Sequence, residues 1–88
     1  MVNADEVREG LNEWLENPYW ADYYNNAPSE KCREYIALDF HYSDTEDEEV
    51  AEAMDKVGET LSLEDWKYVY EHTEGPERAR IAQIIEKG

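Results

Sequence analysis

Val7, Leu11, Trp14 and Leu15 recur at i, i+4, i+7 and i+8, the spacing that places apolar side chains on one face of an α-helix. The pattern predicts a helix over roughly Ala4 to Glu16, opened by Asn3 and Glu6 as a capping box with Asn in the Ser/Thr position. Gly10 interrupts it, at about 1 kcal/mol relative to Ala. Asn17-Pro18 reads as a fresh start, a capping side chain followed by Pro in the first turn. A short helix from Pro18 to about Tyr24 then runs into Asn25-Asn26-Ala27-Pro28, where the residue before proline avoids the helical region.

The segment from Ser29 to Tyr42 is ambiguous. Cys32, Ile36 and Phe40 step by four, with Tyr35 and Leu38 beside them, whereas Ile36, Leu38, Phe40 and Tyr42 alternate. The first pattern is helical and the second is that of a strand. No second alternating run offers the strand a partner, so a helix is expected, ending at Ser43-Asp44-Thr45. Thr45 and Glu48 have capping-box spacing before a Val50/Ala53/Met54/Val57 stripe, with Gly58 as the C′ residue. Ser62 and Asp65 form a weaker capping pair ahead of Trp66, Val69 and Tyr70. Gly75-Pro76 stops that helix and opens the last, whose buried side is Ala79, Ile81, Ala82, Ile84 and Ile85. The expected fold is all-α, a single compact bundle of five or six short helices forming one domain over 1–88, its short connections favouring antiparallel neighbours.

Composition sharpens this picture. A chain of 88 residues buries only about 60–65% of the surface its unfolded form exposes. Three Trp, seven Tyr and one Phe supply much of the core area available. The hydrophobic fraction of 41% separates the chain from disordered acidic polymers. The stretch Met1–Gly10 has neither an apolar run nor a basic region and does not read as a signal peptide. One cysteine, Cys32, allows no internal disulfide. A cytoplasmic location without a membrane span is the expectation.

The net charge is −15, and ten of those charges fall between Asp39 and Asp65, where eleven acids face one base, Lys56. From Trp66 onward four acids balance four bases. Such a charge repels nucleic-acid backbones and anionic membranes and complements a basic protein. Glu48, Glu52, Asp55 and Glu59 step by four, three and four, lining one side of a helix away from Val50/Met54/Val57. With Asp47 they form one candidate partner-binding set. The alternative is a solvated helix face with a dipole-matched first turn. Tyr19, Trp20, Tyr23 and Tyr24 form a second candidate set, since Tyr and Trp with a wet edge anchor protein interfaces. Tyr19 and Tyr23 share one helical row and Trp20 and Tyr24 the next, so one row can face the core and the other solvent. The plainer reading has these rings, with Trp14, filling a small core.

No catalytic, cofactor-binding or metal-binding set is found. Asp44-Thr45-Glu46-Asp47-Glu48 begins like a calcium loop but lacks Gly at the sixth position and Glu at the twelfth, which are Glu49 and Asp55. His41 and His72 have no ligand at zinc spacing and are expected on the surface, and Cys32 is expected in the core. There is no glycine-rich phosphate loop, nucleophile elbow or CxxC. In size, charge and aromatic content the chain is similar to bacteriocin immunity proteins and phage-encoded nuclease inhibitors, a likeness that no motif carries. The expected function is therefore a non-enzymatic protein-binding module, in its sharpest form an inhibitor or DNA mimic acting on a basic nucleic-acid-handling protein. The alternative is a small structural or regulatory subunit that self-associates through its aromatic surface. The oligomeric state is not legible.

Overall fold

The computed structural model describes residues 3–87. Among them the chain forms α1 (Ala4–Trp14), α2 (Pro18–Asn25), α3 (Glu30–Thr45), α4 (Glu48–Gly58), α5 (Leu63–His72) and α6 (Pro76–Lys87), with no strand. This is the expected all-α bundle of short helices. Met1, Val2 and Gly88, to which the expectations for 1–88 and for Met1–Gly10 extend, lie outside the described residues.

Each of the first five helices starts on a side chain that satisfies an orphan amide. Asn3 accepts from the Asp5 N–H at 2.9 Å, Asn17 from Tyr19 at 3.0 Å and Ser29 from Cys32 at 3.1 Å. The Asn3 cap therefore reaches Asp5, not Glu6. Ser62 and Asp65 form a full capping box, with bonds of 3.2 Å and 3.0 Å in the two directions. The start of α4 differs from expectation. Asp47, not Thr45, is its cap, accepting from the Glu49 N–H at 2.9 Å. Thr45 still belongs to α3, because Ser43 Oγ and Thr45 Oγ1 bond back to the carbonyls of Asp39 and His41 at 3.1 and 3.0 Å. Their polar groups are thus satisfied inside the helix. The stop comes at Glu46, in the left-handed region at φ 53°.

The third helix is the axis of the molecule. It packs against α1, α2, α4 and α5, and buries Cys32, Tyr35, Ile36, Ala37, Leu38, Phe40 and His41. Its middle, Tyr35 to His41, is buried at six of seven positions, so that stretch is apolar nearly all round. That is why its residues match helical and strand spacing at once.

Two glycines face other helices, and only Gly58 is needed for a close approach. A Cβ on Gly58 would lie 3.1 Å from the Trp66 ring. Gly58 is thus the last residue of α4 and a seat for Trp66, not a residue beyond the helix. At Gly10, in the middle of α1, a Cβ would lie 3.6 Å from Asp44 and 3.9 Å from His41. Here α1 covers His41, which is buried and not at the surface as its polarity suggested. In α6, Ile81 is fully buried and Ile84 and Ile85 pack on the core, but Ala79 faces solvent.

Candidate functional site

The acidic ridge follows from the periodicity of α4. Val50 and Met54 are buried, and Glu48, Glu52, Asp55 and Glu59 emerge exposed on another side. Among the described residues no ion pair reaches Glu48, Glu52 or Glu59. Asp55 is met by Arg80 of α6 at 3.7 Å, so it is a tethered member of the ridge. Asp47 is exposed but engaged as the α4 cap. An open groove of about 470 Å³, lined by Asp55, Glu59, Trp66, Arg80 and Ile84, runs beside the ridge.

Three acids of the same sequence segment do not belong to this surface. Asp65 is buried and accepts from Ser29 Oγ and Ser62 N–H, both at 3.0 Å, tying the starts of α3 and α5 together. Asp44 accepts the Trp14 indole N–H at 3.0 Å. Asp39 is half-buried on α3.

The aromatic candidates divide differently from the two rows that their spacing suggested. Tyr23 is buried and Tyr19, in the same row, is 55% exposed. Trp20 and Tyr24 are half-buried against the core. The short α2 packs on α3 and is deepest at Tyr23, so depth varies along the Tyr19/Tyr23 row. Trp14 stacks flat on Phe40 at 4.6 Å between centroids, and Trp20 stands nearly perpendicular to both, at 5.4 and 5.7 Å. Tyr19 adds an edge-to-face contact to Trp20 at 4.7 Å. On the far side Tyr23 stacks on His72 at 4.5 Å. His72 is half-buried, and its Nδ1 lies 2.9 Å from the Tyr68 carbonyl, which can only accept. This histidine is thus only partly at the surface, with one side packed on Tyr23 and Tyr68.

These rings wall a cleft of about 390 Å³. Its remaining lining comes from Asp39 and Ser43 of α3 and from Thr73 and Glu74 of the α5–α6 turn. Two polar groups here have no hydrogen-bond partner among the described residues. One is the Tyr23 hydroxyl, which is fully buried. The other is the Asp39 carboxylate. Burial pushes the Asp39 carboxyl up to about 6, the nearby Glu77 charge adds to the rise, and Arg80 partly opposes it. Burial likewise raises the Tyr23 phenol, with the Asp39 charge as its next cause.

Arg80 is committed on the other side of Asp39. It lies 3.4 Å from Glu77 and 3.4 Å from the Tyr35 hydroxyl, as well as near Asp55. Asp39 thus separates an aromatic cleft without a Lys or Arg side chain, its one basic lining residue being His72, from a smaller cavity that contains Arg80. Asp39, Phe40 and His72 were not singled out from the sequence. For Asp39 a signal existed: it is the one acid in the apolar run from Tyr35 to His41.

Cys32 is fully buried, and burial first, then the Asp65 charge, pushes its thiol up to about 12. Among the described residues no cluster of three or more His, Cys, Asp or Glu is arranged to hold a metal ion, and no helix is long and apolar enough to cross a membrane. Comparisons with protein-family models, curated proteins and solved structures find no match to the chain.

Proposed function

We propose that this chain is a non-enzymatic protein-binding module whose acidic α4 face engages a basic partner, as an inhibitor or sequestering protein would. The observation that carries the reading is the exposed ridge of Glu48, Glu52, Asp55 and Glu59, three of whose carboxylates have no ion-pair partner among the described residues. Like charges crowded on one face repel one another, and a basic surface relieves that repulsion. The adjoining groove adds apolar area from Trp66 and Ile84, which a charge-only contact lacks.

Spacing bears on the DNA-mimic version. Ridge carboxylates follow one another by about 4.5 to 6 Å along the helix axis, against about 1.7 Å per charge for duplex DNA. The ridge alone is a sparse imitation, so a general basic-protein surface is the better-supported form. Self-association through the aromatic rings is the weaker reading, because every copy brings a net charge of −15.

The test replaces Glu48, Glu52 and Glu59 by Gln and Asp55 by Asn together. The partner is a basic protein recovered from the source cell. Wild-type affinity is expected to fall steeply between about 50 and 500 mM salt, as exposed charge pairs are screened. The folded quadruple variant is expected to bind weakly at every salt concentration. Unchanged affinity and unchanged salt dependence in that variant would reject the ridge as the binding surface.

A further inference from the structure

The aromatic cleft has a chemistry distinct from that of the ridge. Its walls are ring faces and edges from Trp14, Trp20 and Phe40, set as two parallel rings and one across them. Its acidic lining side chains are Asp39 and Glu74, and its one basic lining residue is His72, whose Nδ1 is held at the Tyr68 carbonyl. The nearest guanidinium, Arg80, lines the neighbouring cavity, where Glu77 and Asp55 hold it. A cleft of about 390 Å³ lies near the lower end of the range for small-ligand sites, which run from about 300 to 1,000 Å³.

Anions are excluded by the two carboxylates, and a neutral apolar group would leave Asp39 desolvated without a partner. That is an expensive state for a carboxylate. A cation answers both conditions. Ring faces attract cations through their quadrupoles, and the planar, weakly hydrated guanidinium stacks on aromatic rings while donating two parallel bonds to a carboxylate. A lysine ammonium is more strongly hydrated and lacks the flat face.

We propose that the cleft receives an arginine side chain of a basic protein partner, its guanidinium stacking on the Trp14–Trp20–Phe40 corner and pairing with Asp39. This deepens the basic-partner reading by naming the side chain taken, yet it concerns a surface that the ridge substitutions leave intact.

The test needs no partner protein. The full-length chain, labelled with ¹⁵N, is titrated with N-acetyl-arginine methylamide while the indole N–H signals of Trp14 and Trp20 are followed. N-acetyl-citrulline methylamide, the uncharged near-isostere, is the control, and the lysine analogue is a third arm. Saturable shifts at both indoles are expected with arginine, with citrulline weaker by roughly tenfold and lysine between the two. Asp39→Asn is expected to bring arginine down to the citrulline level, and the milder rim change Glu74→Gln to weaken it by about twofold to threefold. Equal shifts with arginine and citrulline, tighter binding of lysine than of arginine, or arginine binding unaltered in Asp39→Asn would overturn the proposal. The citrulline comparison is made on the wild-type protein and does not depend on any variant folding. If the ridge variant abolishes partner binding while the arginine probe shows no shift, the basic-partner reading stands and the cleft proposal falls.

Discussion

Asp39→Asn offers a sharp thermodynamic test, because the native environment of Asp39 penalises its charge. The carboxyl moves from 3.8 to about 6, chiefly through desolvation. Each pKa unit corresponds to about 1.4 kcal/mol of difference between the two protonation states. The shift therefore implies an upper bound of about 3 kcal/mol, and about 2 kcal/mol after allowing for the part of Asp39 that remains in contact with solvent. The sign follows from linkage. Below about pH 4 the carboxyl is protonated in both folded and unfolded chains and contributes no penalty. Between about pH 4 and 6 the unfolded chain ionises while the folded chain stays protonated, so stability falls as pH rises. Above about pH 6 to 7 both are ionised and the full penalty applies. The asparagine does not titrate, so its stability relative to wild type should rise by about 2 kcal/mol from pH 4 to pH 7.5, whatever constant offset its amide introduces. Urea unfolding followed by tryptophan fluorescence at several pH values reads this difference directly. A stability difference between the two proteins that is flat from pH 4 to 8 would refute a desolvated Asp39. With it would go the main electrostatic support for an arginine site.

Two further predictions concern packing. Gly58→Ala should destabilise by about 1–2 kcal/mol through overpacking against Trp66, since the added Cβ meets that ring at 3.1 Å. Gly10→Ala, with ordinary contacts of 3.6 and 3.9 Å, should stabilise by about 0.5–1 kcal/mol through helix propensity. The same sign for both in urea unfolding would contradict the local geometry. Cys32, buried and with its thiol raised to about 12, should react with an aromatic disulfide reagent only as fast as the chain opens. Labelling of the native protein at the rate of a small free thiol would place Cys32 at the surface instead.

Local features of the sequence announced most of the fold. The Val7/Leu11/Trp14 stripe marks two turns of one helix, while Pro18 after a capping Asn, the Ser62–Asp65 pair and Gly75-Pro76 each act within about one turn and mark a boundary found in the structure. The end of α3 was not legible in the same way. Ser43, Asp44 and Thr45 look like a break, but all three are helical, with Ser43 and Thr45 bonded back to the Asp39 and His41 carbonyls. The actual stop is a left-handed Glu46, a residue type with no strong preference for that conformation. The ridge was legible because three of its members share α4 and the fourth, Glu59, caps that helix. The cleft was not, because it combines α1, α2 and α3 with His72 and Glu74 from beyond position 70. Asp39 owes its unusual carboxyl partly to Glu77 and Arg80 of α6, a tertiary effect that no short window of sequence contains.

The way the helices pair has a consequence for how quickly the chain reaches this state. Two of the closest helix pairs, α3 with α4 and α5 with α6, are neighbours in sequence joined by short turns. Each is a helical hairpin whose contacts close only small loops, so little chain entropy is lost before packing begins to compensate it. Helical domains dominated by such local contacts fold in microseconds to milliseconds. What remains for slower steps is the docking of α1 across α3, which brings Gly10 over His41 and Trp14 onto Phe40, and of α5 against α2 and α3, which brings His72 onto Tyr23. The aromatic cleft needs both of these long-range contacts, and a chain lacking either would display the acidic ridge without the complete cleft.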